Sequence, residues 1–350
     1  EEKEIALLTG DTKKSDREIL HENLSNGTIK ILIGTHALIE DEIQFHNLEL
    51  VIIDEQHRFG VKQRAALKKK GKNPNLLVMT ATPIPRSMAM TVYGDLDISI
   101  LDELPPGRRE ITTKMVFPQS REKMYAFLQK EIIEGRQAFI IYPLIEKSEK
   151  EQTKAAVEEH KYLQKKVFPD FNVGLMHGRL KPTEKEKAMR EFKSKHYDIL
   201  VSTSVVEVGV DVPNASVMVI EGANRFGLAQ LHQFRGRVGR GSDQSYCFLV
   251  PETEDSAENE RLAVMCKTND GFILADQDLK QRGPGDFLGT RQSGFSELKI
   301  ARLTDSQLIE KARKQASELM ETDPALEREE HQMLKKLMKI WWKEKKGENN

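Results

Sequence analysis

A run of four apolar residues that ends in two carboxylates constrains the fold of this chain more than any other feature. Leu50–Ile53 are all apolar, three of them are β-branched, and Asp54 and Glu55 follow directly. Such a run is typical of a strand that is buried on both faces, as in a parallel sheet. Carboxylates at the carboxyl end of such a strand lie where α/β sheets bind ligands. The alternative is a strand whose acidic end only meets solvent, and the pair alone leaves both interpretations open.

The rest of the chain repeats this pattern of short apolar runs alternating with helical patterns. The alternation predicts an α/β fold with parallel sheets. It is interrupted at residues 102–109, DELPPGRR, where two prolines and a glycine exclude a helix or a central strand. We therefore predict one α/β domain over residues 1–104, a second over 105–252, and a mainly helical region over 253–350.

Two capping boxes predict where individual helices begin. Ser15 is followed three residues later by Glu18, and Thr183 is followed three residues later by Glu186. In this pattern the hydroxyl and the carboxylate each accept a hydrogen bond from a free backbone N–H of the first turn. We therefore expect Ser15 and Thr183 to be N-cap residues.

Composition excludes several classes of protein. The 350 residues are 38% hydrophobic and 31% charged, and no apolar run approaches the roughly 20 residues that a membrane span needs. The start of the chain lacks the features of a signal peptide, and Cys247 and Cys266 form no metal-binding spacing. We therefore expect a cytoplasmic protein with no membrane partner. The formal net charge of −1 means that any nucleic acid must bind through local patches.

An arginine-rich stretch, LHQFRGRVGR at residues 231–240, is the second strong signal. On a helix Gln233, Arg237 and Arg240 lie on one face, while Arg235 points elsewhere. The two glycines of this stretch each cost about 1 kcal/mol in a helix interior, which indicates close approach of a backbone or ligand. An arginine face can neutralise charge on a transferring phosphoryl group. The alternative is a set of surface arginines that form weak ion pairs.

Four stretches together resemble motifs II, III, V and VI of the superfamily 2 helicases. They are DEQH at 54–57, TATPIPR at 80–86, STSVVEVGVDVP at 202–213 and QLHQFRGRVGRG at 230–241. Members of that superfamily carry ATP between two RecA-like domains and pull DNA through a cleft across them. The resemblance implies two RecA-like parallel-sheet domains, the first truncated at its N-terminus, followed by a mainly helical region.

The same resemblance implies roles for single residues. Asp54 would bind Mg²⁺, Glu55 would be the general base, and Arg237 and Arg240 would be arginine fingers acting on ATP. The residues implied to contact the nucleotide are Gln56, His57, Gly209, Asp211 and Gln233. Thr80 and Thr82, together with Gln56 and His57, would couple the nucleotide to DNA. Loops whose backbone N–H groups could grip DNA phosphates contain Thr9, Gly10, Gly34, Thr35, His36, His177, Gly178, Ser202 and Thr203.

Three further stretches resemble the RecG family of bacterial ATP-dependent helicases, which remodel stalled replication forks and branch-migrate Holliday junctions. They are DELPPGR at 102–108, GVDVPNAS at 209–216 and RGPGDFLGTRQSG at 282–294. The last looks like the translocation motif of that family, which implies coupling roles for Arg282, Arg291 and Gln292. Standing alone, this segment would be interpreted as a Gly-Pro-rich surface loop.

The transcription-repair coupling translocases share the translocation motif and are the related family to exclude. They usually carry DEEH and a GIDIP-type motif V, whereas this chain has Gln56 and the sequence GVDVP at residues 209–213. The details therefore favour RecG. The partners implied by that resemblance are branched DNA and, as a further candidate, single-stranded DNA-binding protein, and a monomer is expected.

One feature of these helicases is missing from the sequence. A P-loop needs G-x-x-x-x-G-K-[ST], but the only Gly-Lys pair, Gly71-Lys72, is followed by Asn73, and Ala66 occupies the first glycine position. The chain thus resembles the carboxyl-terminal part of a longer enzyme, without the P-loop, the adenine-binding residues and the wedge domain, and we expect no ATP hydrolysis by it alone. The alternative is a non-catalytic DNA-binding or interaction module, although the intact carboxylates and arginines argue against it.

Overall fold

The chain folds into two compact units, which are described separately below. They comprise residues 1–82 and 83–350. The computed structural model describes residues 4–40, 42–56, 59, 61–82, 84, 96–143, 149–203, 211–253, 260–282 and 306–347. The domain bounds at 104 and 252 stay a prediction.

The first unit contains two pairs of parallel strands. The strands are β1 (Ile5–Leu8), β2 (Ile31–Gly34), β3 (Leu50–Ile53) and β4 (Asn75–Val78). β1 pairs with β2 and β3 pairs with β4, both in parallel. The helices of this unit are α1 (Lys14–Ser25), a 3-10 helix (His36–Ile39) and α2 (Val61–Lys69). The parallel sheet and the bounds of β3 agree with the prediction from the sequence.

The prediction that β3 is buried on both faces is wrong. Val51 and Ile53 are 8% and 2% exposed, but Leu50 and Ile52 are 53% and 56% exposed. The cause is that α1 and α2 pack on one face only, where Leu67 of α2 contacts Val51 and Ile53. The apolar residues on the other face of these strands are Ile5, Leu7, Ile31, Ile33, Leu50, Ile52 and Leu77, and all are exposed.

A six-stranded parallel sheet forms the centre of the second unit. Its strands are β5 (Thr112–Met115), β6 (Gln137–Ile141), β7 (Val173–Met176), β8 (Ile199–Ser202), β9 (Ala215–Glu221) and β10 (Tyr246–Val250). Their order is β5-β10-β9-β6-β8-β7, and all five pairings are parallel. β6, β8 and β9 are buried along their whole length, as expected when helices cover both faces.

Helices cover both faces of this sheet. The helices of the second unit are α3 (Arg121–Ile133), α4 (Glu149–Tyr162), α5 (Pro182–Lys193), α6 (Leu228–Arg235), α7 (Glu260–Lys267), α8 (Gly271–Arg282), α9 (Ser306–Thr322) and α10 (Gln332–Gly347). Side chains of α3 pack in one core, while α5, α6, α7 and α8 share the core on the opposite face. The predicted α/β fold with helices near the C-terminus is therefore confirmed. No helix within the described residues is long and apolar enough to cross a membrane.

Both predicted helix caps are displaced. α1 begins at Lys14, so Ser15 lies inside the first turn and its hydroxyl donates to Asp16 Oδ1 at 3.3 Å. α5 begins at Pro182, and the backbone N–H of Lys181 donates to Glu184 Oε2 at 2.8 Å. Proline is suited to the first helical position, which places the start of α5 before Thr183.

Candidate nucleotide and nucleic-acid site

A strained turn carries the two carboxylates at the end of β3. Asp54 is exposed, and its Oδ1 accepts a hydrogen bond from the backbone N–H of Glu55 at 2.8 Å. Glu55 has φ +49°, in the left-handed region that residues with a side chain rarely adopt. Such strain costs on the order of 1–3 kcal/mol and is concentrated at functional sites. The geometry therefore favours the interpretation that this acidic end does more than meet solvent.

Hydrogen bonds join this acidic turn to the end of β4. The buried Gln56 donates its backbone N–H to the carbonyl of Met79 at 3.1 Å, and Met79 donates to the carbonyl of Ile53 at 2.8 Å. Directly after Met79, the hydroxyl oxygen of Thr80 accepts a hydrogen bond from the N–H of Thr82 at 3.2 Å. The predicted nucleotide residue Gln56 thus lies beside the predicted coupling residues Thr80 and Thr82.

Asp54 is the residue of this turn that could hold a magnesium ion. Mg²⁺ is usually bound by one or two carboxylates together with waters and substrate phosphates, so a full cage of protein ligands is not required. Within the described residues no group of three or more His, Cys, Asp or Glu side chains could hold a metal ion. An exposed carboxylate such as Asp54 fits a magnesium site that waters and substrate phosphates complete.

The loop after β1 is held by an arginine that the sequence did not single out. Thr9 donates its N–H to Thr12 Oγ1 at 3.0 Å. Arg17 of α1 donates to the carbonyls of Thr9 at 3.0 Å and Thr12 at 3.2 Å, and it pairs with Glu40 at 2.8 Å. An arginine within a helical pattern gives no sequence signal for such a role. Arg17 also donates to the carbonyl of Gly10 at 3.3 Å, while a Cβ added at Gly10 would meet no heavy atom within 4 Å.

The loop after β2 lies beside the loop after β1. Thr35 donates its N–H to the carbonyl of Leu8 at 3.3 Å. A Cβ on Gly34 would lie 2.3 Å from the same carbonyl oxygen, so only glycine fits there. The ring of His36 stacks on Phe59, with ring centroids 4.7 Å apart. The structure thus brings the predicted DNA-binding residues of the first unit to one edge of its strands.

In the second unit the predicted DNA-binding residues lie at the ends of β7 and β8, and two of the four are buried. Ser202 and Thr203 are buried, and the Ser202 hydroxyl donates to the carbonyl of Thr203 at 2.8 Å. The backbone N–H of Thr203 donates to the carbonyl of Met176 at 3.3 Å, next to His177. Burial, followed by the nearby Lys185 and Arg179, lowers the pKa of His177, so its imidazole is neutral at pH 7. The carbonyl of Gly178 accepts a hydrogen bond from Lys185 Nζ at 2.8 Å.

The arginine-rich stretch is not one helix, which corrects the prediction from its spacing. α6 ends at Arg235, so Arg237 and Arg240 lie in the turn beyond it and share no helical face with Gln233. Two glycines end the helix. Gly236 is the C-cap, and Gly239 has φ +76°, where a Cβ would also lie 2.9 Å from Ile111 Cγ1. The glycines therefore form a tight turn rather than an interior helical contact.

This turn brings together two residues that are distant in sequence. Arg240 Nη1 lies 3.5 Å from Asp211 Oδ1, and Arg240 Nε donates to the carbonyl of Gly236 at 3.3 Å. Both side chains are partly exposed, so the ion pair is weak and can be exchanged for another anion. The structure thus pairs one predicted arginine finger with one predicted nucleotide residue.

Some predicted site residues lie outside the described part of the chain. They are His57, Gly209, Arg291 and Gln292. Arg282 is the last residue of α8, and only its backbone is described. The roles predicted for these residues stay predictions.

The two units have RecA-like α/β folds, with an acidic turn in one and an arginine turn in the other. Known families match in the same places. The family "DEAD/DEAH box helicase" matches residues 2–91, and "Helicase conserved C-terminal domain" matches residues 110–242.

The particular family follows from the remaining matches. The family "ATP-dependent DNA helicase RecG, domain 3, C-terminal" matches residues 268–347. Proteins named ATP-dependent DNA helicase RecG are similar to the chain: one from Synechocystis sp. is 55% identical over 92% of the chain, and one from Bacillus subtilis is 50% identical over 95% of it. A solved structure titled "Structure of RecG bound to three-way DNA junction" aligns over 87% of the chain and 39% of its own, with 51% identity and a TM-score of 0.67. The chain belongs to the RecG family.

The chain is shorter than these relatives. It spans 39% of the Synechocystis protein and 49% of the Bacillus subtilis protein. The activity, substrates and partners of a whole RecG protein are therefore not assigned to this chain by similarity alone.

Proposed function

We propose that this chain is part of an ATP-driven DNA helicase and translocase of the RecG type, which remodels stalled replication forks and branch-migrates Holliday junctions. The observation that carries the proposal is the hydrogen bond from Gln56 to Met79, because it fixes the acidic turn beside Thr80 and Thr82. A residue that senses nucleotide and a residue that transmits the change must be in contact for ATP to drive movement. The three-way DNA junction in the related structure supports branched DNA as the substrate.

In this proposal each unit supplies residues for ATP hydrolysis. Glu55 takes a proton from the attacking water, and its strained backbone holds the carboxylate in place. Arg237 and Arg240 neutralise charge that develops on the transferred phosphoryl group, for which Arg240 leaves Asp211. Mg²⁺, held through Asp54, would neutralise charge on the phosphates of bound ATP.

In this proposal the P-loop belongs to a part of the protein outside these 350 residues. We use "full-length protein" for a polypeptide in which this chain is joined to a P-loop. Relatives about twice as long as this chain support that arrangement. A monomer in the cytoplasm, with single-stranded DNA-binding protein as a further partner, is part of the same proposal.

ATP hydrolysis by the full-length protein tests this function. We expect a three-way junction to stimulate hydrolysis more than linear duplex DNA does, since a transcription-repair coupling translocase needs no junction. Arg240→Lys should lower kcat by about 10³-fold while nucleotide affinity changes little, because a lysine lacks the planar fork of arginine. Arg136→Lys, at an ion pair with Glu131 on α3, is the matched control. Wild-type kcat in Arg240→Lys would leave that arginine a structural role.

The absent P-loop favours a second candidate, a non-catalytic DNA-binding module. A module of this kind binds junction DNA with the same affinity whether or not ATP is present. Its affinity for junction DNA is also unchanged by Glu55→Gln and Arg240→Lys. The hydrolysis experiment separates the two candidates, since only the first predicts junction-stimulated turnover.

A further inference from the structure

A buried arginine joins α6 to the two helices that follow the sheet. Arg235, the last residue of α6, is 2% exposed. Its guanidinium donates to three backbone carbonyls, those of Met265 at 3.0 Å, Thr268 at 2.8 Å and Asn269 at 3.3 Å. These carbonyls belong to the last turn of α7 and to the turn that leads into α8. One side chain therefore hydrogen-bonds α6 to the turn between α7 and α8, in addition to the apolar core that the three helices share.

The charge of Arg235 is met by carbonyl oxygens rather than by a carboxylate. Among the residues that the structure describes, no acidic side chain forms an ion pair with it. The carbonyls at the end of a helix lack partners within the helix and carry partial negative charge, so they suit a cation. Burial lowers the pKa of Arg235, but a guanidinium stays protonated in proteins. A buried charge that meets the carbonyls at and just after the end of α7 makes the position of that helix depend on Arg235.

Arg235 is also fixed on the side of its own helix. Its Nη2 donates to His232 Nδ1 at 3.0 Å, one turn earlier in α6, and its Nη1 lies 3.4 Å from the Thr113 hydroxyl of β5. The guanidinium thus contacts α6, β5 and the α7–α8 turn together. A side chain held in this way moves with α6 rather than independently.

The two elements that Arg235 joins lead to two different predicted functions. On one side α6 continues into the turn with Arg237 and Arg240, which are proposed to act on ATP. On the other side α8 ends at Arg282, where the segment predicted to couple hydrolysis to DNA movement begins. Arg235 hydrogen-bonds both sides directly.

We propose that Arg235 is a positioning residue that transmits movement of the Arg237–Arg240 turn to the α7–α8 pair. This inference rests on the proposed function, because it supplies a mechanical link between hydrolysis and DNA movement. Arg235 itself contacts neither ATP nor DNA in this account. The competing explanation is a purely structural role, in which Arg235 only stabilises the second unit.

The ratio of strand separation to ATP hydrolysis distinguishes these explanations, because general destabilisation lowers both activities together. In Arg235→Lys the charge is kept, but a single ammonium cannot span carbonyls in two turns. We expect ATP hydrolysis by the full-length protein on a three-way junction to stay within about 3-fold of wild type, while strands separated per ATP fall by about 10-fold. Arg136→Lys should leave the ratio unchanged, because Arg136 pairs with Glu131 of α3, a helix that packs on the opposite face of the sheet.

A second variant acts on the same turn from the other side. Asp270 is exposed and directly precedes α8, where its Oδ1 accepts a hydrogen bond from the N–H of Phe272 at 2.7 Å. Asp270→Ala leaves the α6 side of the contact intact but loosens the turn that Arg235 holds. We expect Asp270→Ala, like Arg235→Lys, to lower the number of strands separated per ATP hydrolysed. If Arg235→Lys does not fold, Asp270→Ala distinguishes the positioning role from a purely structural one.

Each outcome has a definite meaning. A lowered ratio in Arg235→Lys and Asp270→Ala, with an unchanged ratio in Arg136→Lys, supports the positioning role. An unchanged ratio in folded Arg235→Lys, or equal loss of both activities, overturns it and leaves the proposed function intact. A wild-type protein that hydrolyses no ATP in response to DNA would instead overturn the proposed function, and the coupling role with it.

Discussion

At the scale of single residues, His232 shows how burial sets a protonation state. Its Nδ1 accepts a hydrogen bond from Arg235, so the imidazole must be neutral with its proton on Nε2. Burial, followed by the charge of Arg235, lowers the pKa of His232 to about 4. The unperturbed value of about 6.5 applies in the unfolded chain. The unfolded state therefore binds more protons than the folded state between these two values.

This difference predicts how stability depends on pH. The contribution of His232 is fully present above pH 6.5 and is lost as pH falls towards about 4, by on the order of 3 kcal/mol in the free energy of unfolding. Urea denaturation at a series of pH values would measure it. His232→Gln, whose amide oxygen can still accept from Arg235, should remove this part of the pH dependence. An equal slope in the variant and the wild type would contradict the assignment.

At the scale of elements, the sequence predicts strands better than helix ends. The apolar run Leu50–Ile53 identified β3 with its observed bounds, because four apolar residues between polar ones leave little choice. The end of α6 was missed, since a glycine costs stability inside a helix but favours its C-terminus, and spacing does not separate these roles. The partners of Arg235 are carbonyls at least 30 residues away, which no local pattern shows.

Local sequence predicts some features of the candidate site, whereas others depend on contacts between distant residues. The position of Asp54 and Glu55 at the end of a strand follows from the sequence alone. The approach of Arg240 to Asp211 depends on how loops meet in the folded units, and so do the hydrogen bonds from Arg17 to the loop after β1. The burial of Ser202 and Thr203 likewise follows from the packing of neighbouring strands.

The contact between the loops after β1 and β2 makes a prediction for Gly34. A Cβ at this position would collide with the backbone carbonyl of Leu8, so Gly34→Ala should lower the free energy of unfolding of the first unit by about 1–3 kcal/mol. Gly10→Ala is the matched control, because its Cβ would have no heavy atom within 4 Å. Thermal denaturation followed by circular dichroism would compare them. Equal melting temperatures would mean that the two loops are farther apart than described.

At the scale of the whole molecule, the main feature that the fold does not explain is the exposed apolar face of the strands in the first unit. Its exposed apolar residues lie on all four strands, whereas parallel sheets are normally covered on both faces. Exposed patches of this kind mark interaction surfaces. We expect the full-length protein to cover this face, whereas its apolar residues are exposed in the 350-residue chain.

Neighbouring isoleucines on β3 test that difference. In the 350-residue chain Ile52→Thr should change the free energy of unfolding by no more than about 0.5 kcal/mol, because Ile52 is exposed. Ile53→Thr should cost roughly 2 kcal/mol or more, because Ile53 is buried. In the full-length protein we expect both substitutions to lower the free energy of unfolding. An Ile52→Thr substitution that stays neutral there would show that the face remains uncovered.

The central claim is that this chain carries the hydrolytic and coupling residues of a DNA motor, and strand separation on a model replication fork tests it most directly. The measurement compares the wild-type full-length protein with Glu55→Gln in the presence of ATP. We predict ATP-dependent separation by the wild type, and a loss of about 10²–10⁴-fold in Glu55→Gln with nucleotide binding retained, because a general base acts on water rather than on the bound phosphates. Separation by Glu55→Gln at the wild-type rate, or the absence of ATP-dependent separation by the wild type, would contradict the claim.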